Sequence, residues 1–356
     1  MGLSFLVTGG YFDDSGEGVI WHVDLERERA EPFIRWFPPA HLRVPRKGFA
    51  GGCRANDGTV YVAAHCAIVR IDAVSATVTG ALHQPSFNDL HHVAVSEDRL
   101  YIANTGLGSV DIHELTGRFI GSQTVLPAWA NRQRMNGEDP PQWDAVLAPG
   151  WDGAEPTPWQ SGPEEDGYHD LGQRRGDSPF ARLKVPDHLH LDHVCITPLQ
   201  TLVTCLYDGT VRDLRTFETL LRLEGSHPHD GFIAAGSFWT TSIDGLVRAT
   251  PLNDGRVTDK AEVRRSVFDT GHAGWCRGLW TDGKRLVVGL TEVRRGRMPR
   301  HRWADREPEG TETSLLLLDL SDGRLLARVD LSDHERHSKL YSLLLLEEAS
   351  RPRSHR

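Results

Sequence analysis

Pro186-Asp187-His188-Leu189-His190-Leu191-Asp192-His193-Val194 sets three histidines and two aspartates immediately before a short apolar run. The same grammar recurs at Phe87-Asn88-Asp89-Leu90-His91-His92-Val93 and at Ser226-His227-Pro228-His229-Asp230-Gly231-Phe232. Each stretch leads into a strand-like run, a turn and a second strand-like run. The three read as equivalent corners of one repeat, and the repeat decides the fold.

Working outward, five segments align on a strand, turn, strand, loop, strand pattern, anchored at Gly52, His92, His193, Gly231 and Gly278. Their spacings are 40, 101, 38 and 47 residues, and removing the 60 residues of 128–187, which differ in character, brings the 101 to 41. A period near 40 with four strands per unit is the propeller signature. Asp-Gly pairs at 57–58, 208–209, 244–245, 282–283 and 322–323 supply hairpin signals between the runs. The ends complete the count. Leu340–Leu346 reads as an innermost strand with no partners after it, whereas Ser4–Gly10, Val19–Leu25 and Pro32–Phe37 read as three strands lacking an innermost one. Pairing them makes a sixth blade and leaves no long exposed sheet edge. The expectation is an all-β chain: one six-bladed β-propeller over residues 1–346, with a disordered tail at 347–356. Five or seven blades, or a pair of β-sandwiches, are the alternatives.

Residues 128–187 hold Trp129, Trp143, Trp151 and Trp159 among many Pro, Gly, Asp and Glu. A long insertion of this kind reads as an ordered lid on the ring, or an oligomer contact. A second insertion spans about 292–312. The composition excludes several function classes. A net charge of −9 argues against nucleic acid. No apolar run approaches the roughly 20 residues of a membrane span. The N-terminus reads as a strand and not as a signal peptide. Five cysteines without a CxxC pattern point to free thiols in a reducing, cytoplasmic compartment. There is no P-loop, dinucleotide GxGxxG, GxSxG or HExxH.

In a propeller, the loop leading into the innermost strand and the loop between the second and third strands share one face. That face collects Asn88, Asp89, His91, His92, His188, His190, His193, His227, His229, Asp230, His272, Trp275 and Arg277, with His65, Asn104 and Thr105 from the second set. Neutral imidazole is a common ligand for Zn, Fe, Cu and Ni. His92 and His193 occupy identical repeat positions, and His229 has the same strand parity. These three are the expected metal ligands, with His65 as a fourth. Parity favours His92 over His91 as the residue facing the channel. Asp192 and Asp230 are expected to orient imidazoles or to act as bases. Arg277 is expected to hold a carboxylate or a developing oxyanion. Cys276 reads as small core filler more than as a nucleophile.

The ring, its closure and the axial cluster resemble the six-bladed metal-dependent propellers of the gluconolactonase and paraoxonase type. The resemblance runs through architecture over nearly the whole chain, and it implies a divalent metal at the axis. That family's ligands are mainly Glu, Asn and Asp. Here Asn88, Asn104 and the aspartates match that part, while histidine dominates. The ligand type is similar to that of the carotenoid oxygenases, which are seven-bladed and hold ferrous iron with four axial histidines.

The functional expectation is a metal-dependent enzyme on a small molecule, with hydrolase, lyase or isomerase chemistry and Zn, Fe or Mn favoured over Ca. His190, Asp230 and Arg277 carry catalysis, and Asn88, Asn104, His227, Trp275 and Tyr341 bind substrate. Two alternatives are a non-haem iron oxygenase and a non-catalytic propeller that binds a protein or glycan. Oligomeric state is left open.

Overall fold

A computed structural model describes residues 3–39, 42–84, 86–125, 157–160, 189–216, 218–223, 226–293 and 310–346. The expected lid over 128–187 (apart from Thr157–Gln160), the tail at 347–356, His188 and most of the second insertion lie outside the described residues.

Six antiparallel sheets follow one another along the chain. Their innermost strands are Phe49–Arg54, Leu90–Ser96, Leu191–Ile196, Phe232–Ala234, Trp275–Thr281 and Ser338–Leu346, belonging to blades 1 to 6 in that order. In blade 6 the C-terminal strand Ser338–Leu346 pairs with Ser4–Tyr11, which continues into Gly18–Asp24 and Arg29–Trp36. The six-bladed ring and its closure by both termini therefore hold. The Asp-Gly pairs sit in hairpin turns, with Gly283 at φ 85°. From the insertion, Thr157–Gln160 adds a fifth strand to the outer edge of blade 1, beside Thr77–His83.

The core is divided. One apolar cluster lies in each seam between consecutive blades: Phe49, Val60 and Ile20 between blades 6 and 1, for example, and Phe238, Leu202 and Val211 between blades 4 and 3. The other four seams are filled in the same way. Full burial of a side chain such as Phe5 or Phe49 is worth about 1.5–3 kcal/mol. Because the seams absorb the large apolar side chains, the axis of the ring is left to polar ones. Among the described residues, no helix is long and apolar enough to cross a membrane.

Each innermost strand also carries one irregularity near its start. Pairing with the second strand slips by one residue between Phe49 and Gly52, between Leu90 and His92, between Leu191 and His193, and between Cys276 and Leu279. The strand Ser338–Leu346 slips between Leu340 and Leu343, opposite Val7 and Gly9. In blade 4 the bridge Pro228–Ser242 precedes the Phe232–Trp239 pair, so one residue is again in excess. A bulge leaves a residue unpaired and re-aims its side chain. The residues thrown out of register are Gly51, His91, Asp192, Asp230, Arg277 and Tyr341, or their immediate neighbours.

Candidate active site at the propeller axis

The bulges build the site. Asp192, the extra residue of blade 3, has a fully enclosed carboxylate. Three imidazoles surround its Oδ1: His91 Nδ1 at 2.9 Å, His190 Nε2 at 3.5 Å and His229 Nε2 at 3.7 Å. Among the described residues, neither Asp192 oxygen accepts a hydrogen bond and neither His91 Nδ1 nor His229 Nε2 has a hydrogen-bond partner; the short approach from His91 is off the line a hydrogen bond needs, and that from His229 is too long. One donor atom each from His91, His190 and Asp192 falls within 4.8 Å of the others, a spacing that can hold a metal ion.

The electrostatics agree. Burial pushes Asp192 upward, but the surrounding imidazoles of His229, His190 and His91 outweigh it and hold the group at about 2. Burial, with His190 alongside, holds His91 down at about 4. At neutral pH a neutral His91 imidazole therefore faces an ionised Asp192 carboxylate. His190 sits two residues before its bulge at φ 50°, and Asp89 takes the matching place in blade 2 at φ 52°. Left-handed backbone at such residues is costly, and it clusters at functional sites.

Supporting contacts fix the rings. Asp230 Oδ1 lies 3.4 Å from His229 Nδ1, and Asp230 Oδ2 accepts from the Thr241 hydroxyl. Asp89 Oδ1 takes Lys47 Nζ at 2.6 Å and His65 Nδ1 at 3.0 Å, with His91 Nε2 at 3.8 Å. Tyr341 closes the group, its ring centroid 6.1 Å from that of His91 and 6.3 Å from that of His229. Arg277 Cζ lies over two aromatic rings, 4.3 Å from the Tyr341 centroid and 4.2 Å from that of Trp275.

A second tier lies further along the channel. The rings of His92 and His193 stack at 3.7 Å, and they line a cavity of about 510 Å³ with Asp230, Gly231, Phe232, Ser342 and the turn of blade 1. Burial drives His92 well below the usual imidazole range and His193 to about 4. The Val194 N–H points at His92 Nδ1 from 3.4 Å.

The expected metal set is thus divided between places. His92 and His193 form the stacked tier, His65 is engaged by Asp89, and His229 alone of the four reaches the Asp192 centre. His91 takes the place expected of His92, because the bulge between Leu90 and His92 reverses the parity on which that expectation rested. Two expected substrate contacts serve as braces. Asn104 donates to Asp111 and to the Ser86 carbonyl and accepts from the Asn88 N–H, and His227 Nδ1 donates to the Leu206 carbonyl. Asn88 shares that brace through its backbone; its side chain packs against Gly106. Cys276 is fully buried with its thiol pushed well above its usual range by burial, in keeping with core filler. Lys339 and Lys47 were not singled out in the sequence. The signal was present: a lysine two places before Tyr341 in a leucine-rich strand is out of character for a buried position.

No protein-family model matches the chain, and no curated protein matches it. Solved structures do. A crystal structure of a nidogen/laminin complex is 11% identical with TM-score 0.54, the match covering 97% of each chain. A protein of unknown function from Bacteroides caccae is 10% identical with TM-score 0.54, over 98% of this chain and 100% of the other. A Bacteroides fragilis protein assigned as a 6-phosphogluconolactonase is 15% identical with TM-score 0.48, over 94% and 83%. At these identities the first two likenesses bear on the propeller fold and nothing finer.

Proposed function

We propose that this protein is a metal-dependent enzyme acting on a small molecule at the entrance to the propeller axis, with His91, His190 and Asp192 as the core ligands and His229 completing the set. The observation that carries the reading is Asp192: an ionised carboxylate, wholly enclosed, whose oxygens accept no hydrogen bond while unpartnered imidazole nitrogens face it. An uncompensated buried charge of that kind is costly by several kcal/mol, and a bound cation removes the cost. Histidine with one carboxylate suits Zn, Fe or Mn better than Ca.

A divalent ion held there supplies Lewis acidity for hydrolase, lyase or isomerase chemistry. The chain's own groups do the rest. Asp230 fixes the His229 ring through Nδ1, which leaves Nε2 turned to the centre. Arg277 and Tyr341 present polar edges to whatever sits beside the centre. Elemental analysis of the purified chain tests the reading. About one equivalent of metal is expected, together with its loss in Asp192→Asn. A wild-type protein that retains no metal and takes up none of Zn, Mn or Fe(II) on titration overturns it.

The 2.9 Å approach of His91 to Asp192 favours a second reading, a metal-free His–Asp acid–base centre. It predicts turnover that survives chelators yet falls in Asp192→Asn.

A further inference from the structure

Arg277 is 6% exposed and Lys339 2%, and among the described residues neither forms an ion pair with a carboxylate. Of the carboxylates beside the axis, Asp89 is engaged by Lys47 and His65 and Asp230 by His229 and Thr241, while Asp192 faces the imidazoles of His91, His190 and His229. Lys339 Nζ donates to the Arg46 carbonyl at 2.7 Å, a neutral acceptor. Among the described residues, the Arg277 atoms Nε and Nη1 have no hydrogen-bond partner. Both cations lie by one ring, with Arg277 Cζ 4.3 Å and Lys339 Nζ 5.9 Å from the Tyr341 centroid.

Two buried positive charges that share a ring repel one another, and Asp89, which attracts Lys339, already holds Lys47 and His65. The shape of the arginine site is equally telling. The guanidinium lies over the rings of both Trp275 and Tyr341, and its Nε and Nη1 hydrogens are left for a ligand. Edge-on donors in a planar group suit an anion with several oxygens.

We propose that Arg277 and Lys339 form an oxyanion subsite beside the Asp192 centre, and that the substrate carries a carboxylate or phosphate seated there. The inference rests on the reading of this mouth as a substrate site, and it names the substrate class: a small anion, held by its charged end while the rest lies over the His91 and His229 rings.

Calorimetric titration of the full chain with inorganic phosphate and, separately, with citrate tests it. Saturable binding of at least one is expected, and the preferred probe tells a phosphate source from a carboxylate one. Arg277→Gln and Lys339→Met should each weaken that binding by about 10-fold to 100-fold, the range expected when a charged hydrogen bond is lost. Arg277→Lys, which keeps charge and nearly keeps volume, serves as the folded control and should fall between. Wild-type protein that binds neither probe, or variants that bind as wild type does, overturns the subsite. Repeating the titration after chelator treatment separates the two readings. Anion binding retained within about tenfold in a chain that never held metal supports the subsite and removes the metal. Metal binding without anion binding does the reverse.

Discussion

His229 shows why the centre calls for a cation. If its Nδ1–H is directed to Asp230, its Nε2 carries a lone pair, and that lone pair faces Asp192 Oδ1 across 3.7 Å with no hydrogen between them. Two electron-rich atoms held in that relation repel unless a cation or proton lies nearby. His91 and His92 give a sharp test at the same scale. Adjacent in sequence, they occupy different tiers, so His91→Ala should abolish metal retention while His92→Ala should leave it within about tenfold, the effect of a supporting contact. Equal losses in the two, measured by elemental analysis, would count against the assigned ligand set. Far from the axis, His113 predicts a pH response. It is fully buried between Phe87 and Phe119, its Nδ1 bonded to the Gly117 carbonyl, and burial lowers its pKa. Because the folded-state value lies below the unfolded one, the unfolded chain takes the proton first as pH falls. The stability this group contributes is complete above the unfolded value, near 6.5, and is lost below it. Asp111, lifted by burial, acts with the opposite sign. Urea midpoints at pH 7 and pH 5 should therefore fall more for wild type than for His113→Phe.

At the scale of the element, the recurring bulge is what turns a strand into a site. One unpaired residue at the start of each innermost strand aims His91, Asp192, Arg277 and Tyr341 toward one another, where an unbroken ladder would send alternate side chains into the apolar seams. Gly278 tests the device. It follows Arg277 at φ 79°, and a Cβ there would meet Leu343 Cγ and the Tyr341 carbonyl at 2.9 Å. Gly278→Ala should cost about 1–2 kcal/mol for the left-handed backbone alone, and more from the clash, while weakening anion binding. Gly236→Ala, at φ 72° with nothing within 4 Å of the added carbon, should show only the backbone cost. Equal denaturant midpoints for the two variants would argue against a tightly packed bulge.

At the scale of the whole molecule, closure and site are the same event. The strand Ser338–Leu346 joins the two ends of the chain and also carries Lys339, Tyr341 and Ser342 to the axis. Ending the chain after His337 should expose the Ser4–Tyr11 edge and abolish both cooperative thermal unfolding and the size-exclusion peak of the full-length chain. A soluble, cooperatively folding truncation would show that the ring holds without its clasp.

What the amino-acid order determined by itself was the ring. Apolar runs repeating near every 40 residues, punctuated by Asp-Gly pairs, carry the blades, because strand pairing and turn chemistry are local and leave a local record. That chemistry would gather on one face was legible for the same reason: His190, His229, Asp230 and Arg277 all fall within three residues before a repeat anchor. Which histidines would meet was decided only in three dimensions. A single inserted residue per strand is invisible to a period-of-two reading, yet it exchanges His91 for His92. The cations Lys47 and Lys339 come to the centre from places far apart in the chain, through a closure whose partners are more than 300 residues distant. Asn104 and His227 looked available in sequence and are bound into braces, since a polar side chain's partners depend on which loops fold back beside it.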